Sequence, residues 1–102
     1  MKNLFVLVLA LAIVLTTVGL ASAVVKVDDP KCNSYSGTTI TCGPSQVDTS
    51  SWVAGNTYFV GTSAAIQFGS HTSRYLFGHI YRESAWRSFY CDNVLNDCWY
   101  YK

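Results

Sequence analysis

The chain has 102 residues, half of them hydrophobic and 15% aromatic, with seven basic and six acidic side chains. That length bounds it to one domain. The near-zero net charge excludes a cationic membrane-disrupting peptide and a non-specific nucleic-acid binder, both of which need a clear positive excess.

Lys2, the apolar run from Leu4 to Leu15 and the small residues Ala21-Ser22-Ala23 read as the n-region, h-region and cleavage site of a secretory signal peptide. A membrane anchor competes, because Leu4 to Val25 is nearly long enough to span a bilayer. The A-x-A site and the absence of a second apolar segment favour cleavage after Ala23. The expectation is a signal peptide over residues 1–23 and a single secreted, extracellular domain over 24–102, with no stable membrane anchor after cleavage. Without Lys2 the remaining side chains balance, six basic against six acidic.

A domain of this size buries only about 60% of the surface its unfolded chain exposes, so covalent staples are expected. Cys32, Cys42, Cys91 and Cys98 all follow the leader, and an even count in an oxidising compartment reads as two disulfides. Three pairings are open. Cys32 with Cys42 and Cys91 with Cys98 is preferred, since each pair brackets a turn-rich segment, SYSGTT and DNVLND. Each such loop contributes about 2.5 to 3 kcal/mol on the chain-entropy model. No C-x-x-C knuckle accompanies the cysteines, so no zinc site is expected.

In chain order, Val24 to Pro30 reads as a loose arm or edge strand ending in an Asp-Pro turn signal. Cys32 to Cys42, with Ser36-Gly37 as turn and Thr38 to Thr41 as a β-branched run, predicts a disulfide-closed hairpin. Gly43-Pro44 breaks that strand, and PSQVDTSS reads as a polar loop. Tyr58 to Val60 and Ala64 to Phe68 are predicted strands set off by Gly55-Asn56 and Gly61 to Ser63. Gly69 to Ser73 is a predicted turn.

From Arg74 to Arg82 a two-residue period puts Tyr75, Phe77, His79 and Tyr81 on one face and Arg74, Leu76, Gly78, Ile80 and Arg82 on the other. This predicts a central strand packed by its aromatic face on one side and partly covered on the other; if that second face is open, its arginines are the expected functional residues. Arg82 to Tyr90 also fits a short helix face, but its aromatic content favours a turn at Glu83-Ser84 and a strand from Trp86 to Cys91. Asp92 to Asp97 is then a turn and Cys98 to Tyr101 the last strand. The fold class expected is all-β, a small disulfide-stapled sandwich or barrel of five to six short antiparallel strands. Fourteen of residues 24–102 are aromatic, more than so small a domain can bury completely.

The chemistry concentrates between His71 and Cys91, which holds both histidines, all three arginines and the only glutamate. His71, His79 and Glu83 with the arginines supply the parts of a metal-free nuclease or toxin, a general base, a general acid and phosphate-binding cations. Against this, His79 reads as a core histidine, His71 as a turn residue and Glu83 as a surface partner of Arg82 or Arg87. There is no G-x-S-x-G elbow, phosphate loop, metal-ligand motif, cofactor signature or N-x-S/T sequon, so neither a metal nor a cofactor is expected. Binding makes fewer demands. Arg74, Arg82, Trp86, Arg87, Trp99 and Tyr100, with Trp52 and Tyr81 beside them, are residue types that dominate interaction hot spots. The expectation is a secreted binding protein of the defence, competition or effector type, acting on an extracellular protein or carbohydrate. Nucleic acid is the partner only in the nuclease alternative. A structural coat component is the third class.

Overall fold

The structure, a computed structural model, describes residues 24–102; the leader expected over 1–23 lies outside the described residues. It contains nine strands: β1 Lys26–Asp28, β2 Cys32–Ser36, β3 Thr39–Cys42, β4 Ser45–Asp48, β5 Thr57–Val60, β6 Ala64–His71, β7 Tyr75–Arg82, β8 Ala85–Asp92 and β9 Asp97–Tyr101. Among the described residues there is no helix. The strands form a six-stranded sheet, β1-β9-β8-β7-β6-β5, and a three-stranded sheet, β2-β3-β4. Every pairing is antiparallel.

The all-β, two-disulfide class is as expected, but there are more strands than the five or six predicted. The additions are short and polar. In β4, Cys42 and Ser45 pair across a two-residue loop in which Gly43 takes a φ of 57°. The segment expected as a polar loop therefore turns back onto β3, with Val47 packed against the core. β1 is the edge-strand alternative of the N-terminal arm, paired with β9. β6 runs on to His71 because a register shift between Phe68 and Ser70 absorbs Gly69 as a bulge instead of ending the strand.

Both disulfides are the local ones, Cys32–Cys42 and Cys91–Cys98. Each joins residues directly opposite in register across a hairpin. The small sheet lies on one face of the large one, with β2 against β9 and β8. Between them sits one core containing Tyr35 and Ile40 from the small sheet and Ile66, Leu76, Ile80 and Phe89 from the large. Trp52, from the connection between β4 and β5, closes one end by stacking on Tyr58 with ring centroids 4.5 Å apart and rings nearly parallel.

Polar clips hold the layers together. The Asn96 side-chain oxygen accepts from the Ser34 hydroxyl at 2.8 Å and the Tyr35 N–H at 2.9 Å, tying the β8–β9 turn to β2. Asp29, on the crossover from β1 to β2, accepts from the Lys31 and Cys32 N–H groups at 3.0 and 2.7 Å. Its carboxylate is also gripped by Arg82 at 2.9 and 3.1 Å.

That grip reverses the expected faces of β7. Leu76 and Ile80 are completely buried, and Arg82 on the same side is mostly buried against Asp29. Tyr75, Phe77, His79 and Tyr81 point away from the small sheet, and His79 is exposed rather than a core histidine. Both faces carry large side chains, so alternation alone did not rank them. The aliphatic pair goes inward because its packing leaves no polar tip to satisfy, and Arg82 follows because Asp29 neutralises it.

Candidate functional site

The six-stranded sheet has one covered and one open face, and the register assigns side chains to the open one. Cysteines of a disulfide are inner-face markers here: Cys91 and Cys98 are buried, and so are Phe89 and Tyr100 two residues from each. The alternate positions Trp86, Ser88 and Tyr90 of β8, and Trp99 and Tyr101 of β9, therefore face outward. With Tyr75, Phe77 and Tyr81 of β7 and Phe59 of β5, eight aromatic residues occupy this outer face.

They lie in cross-strand rows. One row carries Phe59 opposite Ala65, then Tyr81 opposite Trp86. Tyr81 and Trp86 meet edge to face at 5.5 Å and are about half exposed, while Phe59 is 73% exposed. A second bank carries Phe77 opposite Tyr90 and Tyr90 opposite Trp99. Its ring centroids are 5.3 Å apart for Phe77–Tyr90 and 6.0 Å for Tyr90–Trp99, and Tyr101 packs on Tyr90 at 5.6 Å. The Lys26 ammonium sits 4.4 Å from the Trp99 ring centroid, a cation–π contact at the edge of the bank.

Between the banks runs a third row, Thr57 opposite Gln67, Gln67 opposite His79 and His79 opposite Ser88. All four are exposed. At the β5–β6 end, Phe59, Thr62, Ser63, Ala65 and Tyr81 line an open recess of about 270 Å³ that also reaches Arg82.

The residues singled out from sequence part company. Trp86, Trp99 and Tyr81 are on the outer face. Tyr100 is buried on the inner side, where its hydroxyl donates to Glu83 Oε2 at 2.7 Å. Trp52 is in the core. Arg74 makes a two-pronged bond to Asp92, at 2.9 and 2.8 Å. Arg87 donates to the carbonyls of Arg82 and Glu83 at 3.2 and 3.1 Å, closing the β7–β8 turn. The arginine face, expected to be partly covered, is thus the inner one, and each arginine is engaged in holding the fold. For Arg74 and Arg82 pairing with buried carboxylates explains why, and for Arg87 pairing with two turn carbonyls does: the rigid fork of a guanidinium satisfies two oxygens at once.

The three residues of the nuclease alternative are not brought together. His79 is in the outer polar row, the His71 ring packs edge-on to Phe68 at 5.4 Å, and Glu83 sits in the β7–β8 turn. The Tyr100 hydroxyl, and then Lys102 at 3.0 Å, hold the Glu83 carboxyl below its usual range, so it is a carboxylate at neutral pH and not an acid. Among the described residues no group of three or more His, Cys, Asp or Glu is placed to hold a metal ion.

Phe59, Phe77, Tyr90, Tyr101, Thr57, Gln67 and Ser88 were not singled out from the sequence. A signal for several was present: the parity of Cys91 and Cys98 fixes which alternate positions of β8 and β9 face out. No family model, no curated protein and no solved structure matches this chain.

Proposed function

We propose that residues 24–102 form a secreted binding domain that engages an extracellular partner through the outer face of its six-stranded sheet. The observation that carries this reading is the placement of eight aromatic residues on a face that no other described element covers. Cross-strand ring pairs there add to the stability of the sheet, but Phe59, Tyr81 and Trp86 are left exposed, and exposed aromatic surface is the usual mark of an interaction site. Two disulfides are compatible with an extracellular protein, and no helix among the described residues is long and apolar enough to cross a membrane.

The test compares the labelled domain with a Tyr81→Ser/Trp86→Ser variant for binding to cell surfaces and extracellular matrices. Both positions are about half exposed, so the variant keeps its fold, checked by its thermal midpoint and circular dichroism. Saturable binding by the parent and its loss in the variant are expected. Equal binding by both, or none by the parent, would overturn the reading. RNA cleavage by the parent that a His79→Ala variant loses would replace it with the nuclease.

A further inference from the structure

The row of Thr57, Gln67, His79 and Ser88 narrows the chemistry of the partner. Resting on the outer-face reading above, we propose that the ligand is a neutral, hydroxyl-rich glycan chain lying across the strands along this row. Three features point the same way.

Polarity is the first. A protein–protein interface buries an apolar centre inside a polar rim. Here the order is inverted, with a polar row in the middle and aromatic banks on both sides, Tyr81–Trp86 and Phe77–Tyr90–Trp99. A sugar ring has the matching division, since its hydroxyls need donors and acceptors while its C–H faces pack on the electron-rich faces of aromatic rings.

Hydrogen-bonding capacity is the second. Among the described residues none of these four side chains is engaged in a hydrogen bond, although hydroxyl, amide and imidazole groups together offer both donors and acceptors. Nothing folded in the domain uses them. They are free to exchange water for ligand hydroxyls.

Charge is the third. The row contains no Asp, Glu, Lys or Arg, and the arginines that would neutralise a polyanion are already engaged with Asp92, Asp29 and turn carbonyls. A nucleic acid or sulfated glycan would find no line of cations along the row. From β5 to β8 there are three inter-strand steps, roughly 14 Å at the usual strand spacing, which accommodates a short run of sugar units.

The experiment is titration calorimetry, with tryptophan fluorescence as a second readout, of the domain against neutral oligosaccharides of β-glucan, chitin, xylan and mannan, with heparin and hyaluronan as acidic comparators. Saturable binding of at least one neutral oligosaccharide, little affected by added salt, is expected. Gln67→Leu, His79→Ala and Trp86→Ser should each weaken it by roughly tenfold or more. Lys31→Ala, away from this face, should not. Circular dichroism and thermal midpoints keep loss of ligand distinct from loss of fold. Absence of binding to every neutral glycan, or binding only to the acidic ones, overturns the proposal. Cell-surface binding that survives periodate oxidation of glycans yet falls in the Trp86→Ser variant also overturns it, while leaving the outer face as the docking site. Binding that ignores all three substitutions sinks both readings.

Discussion

Arg82 separates a structural from a ligand-binding reading of the arginines. Its guanidinium reaches both oxygens of Asp29, whose side chain is fully buried, while only 15% of the Arg82 side chain is exposed. Arg82→Met keeps most of the stem volume and removes the fork, leaving a buried carboxylate without its counter-charge. Breaking a buried pair from one side costs about 3 to 5 kcal/mol. Asp29 keeps its bonds from the Lys31 and Cys32 N–H groups, which places the loss near the lower end, at about 3 kcal/mol. For a domain of this length that is a fall of roughly 12 to 24 °C in the thermal midpoint. The assay is thermal and urea unfolding with the disulfides intact. A double variant, Asp29→Asn with Arg82→Met, keeps an acceptor for the two N–H groups without the buried charge, so it should lose less than Arg82→Met alone. A midpoint shift below about 4 °C for Arg82→Met, or a double variant worse than the single, would refute the clip.

Three further outcomes follow from the local geometry. Ser84 sits in the two-residue β7–β8 turn at a φ of 63°, a left-handed conformation that costs an L-residue about 1 to 2 kcal/mol. Allowing for the unfolded-state entropy of glycine, Ser84→Gly should stabilise by about 0.5 to 1 kcal/mol, and an unchanged or lower urea midpoint counts against it. Arg74, followed by the Val94 and Leu95 N–H groups, lowers the Asp92 pKa to about 2. The folded value lies below the unfolded one, so this contribution is complete above about pH 4 and is lost as pH falls from there toward 2. Urea midpoints should decline over that window, and Arg74→Met should shrink its share of the decline; parallel curves for the two proteins would contradict the assignment. A Cβ on Gly78 would run into the Gln67 carbonyl oxygen of the neighbouring strand, which is backbone and cannot swing away. Gly78→Ala should therefore destabilise by about 1 to 3 kcal/mol, and a neutral result in thermal unfolding would show that β6 and β7 can separate there.

The fold was legible where covalent and turn chemistry agree. Cys32 and Cys42 bracket Ser36-Gly37, Cys91 and Cys98 bracket a polar run, and both hairpins form as the spacing predicts. β4 was not legible because Val47 is the one large apolar residue in SQVD, and its pairing comes from the Gly43-Pro44 turn rather than from its own β propensity. The faces of β7 were not legible because the deciding partner, Asp29, is 53 residues away in sequence. The polar row of the candidate site is harder still. Thr57, Gln67, His79 and Ser88 come from four strands and meet only through register, which no local pattern records.

The residue types thus exchange the roles that composition suggests for them. Arginines, ordinarily the reactive-looking groups of a sequence, here neutralise buried carboxylates and cap a turn, and their substitution should be read first in stability. The aromatic rings, ordinarily core material, stand on the side away from the core. A three-stranded sheet has half the strands of a six-stranded one and can cover one face of it, so the other must meet water or a partner. Strand formation alone would be served there by threonine or valine, which favour the extended backbone without exposing large apolar surface. Eight rings stand on that face beside the polar row, and three of them, Phe59, Tyr81 and Trp86, are exposed. It is these rings, and not the cluster of ionisable groups between His71 and Glu83, that support the proposed docking face.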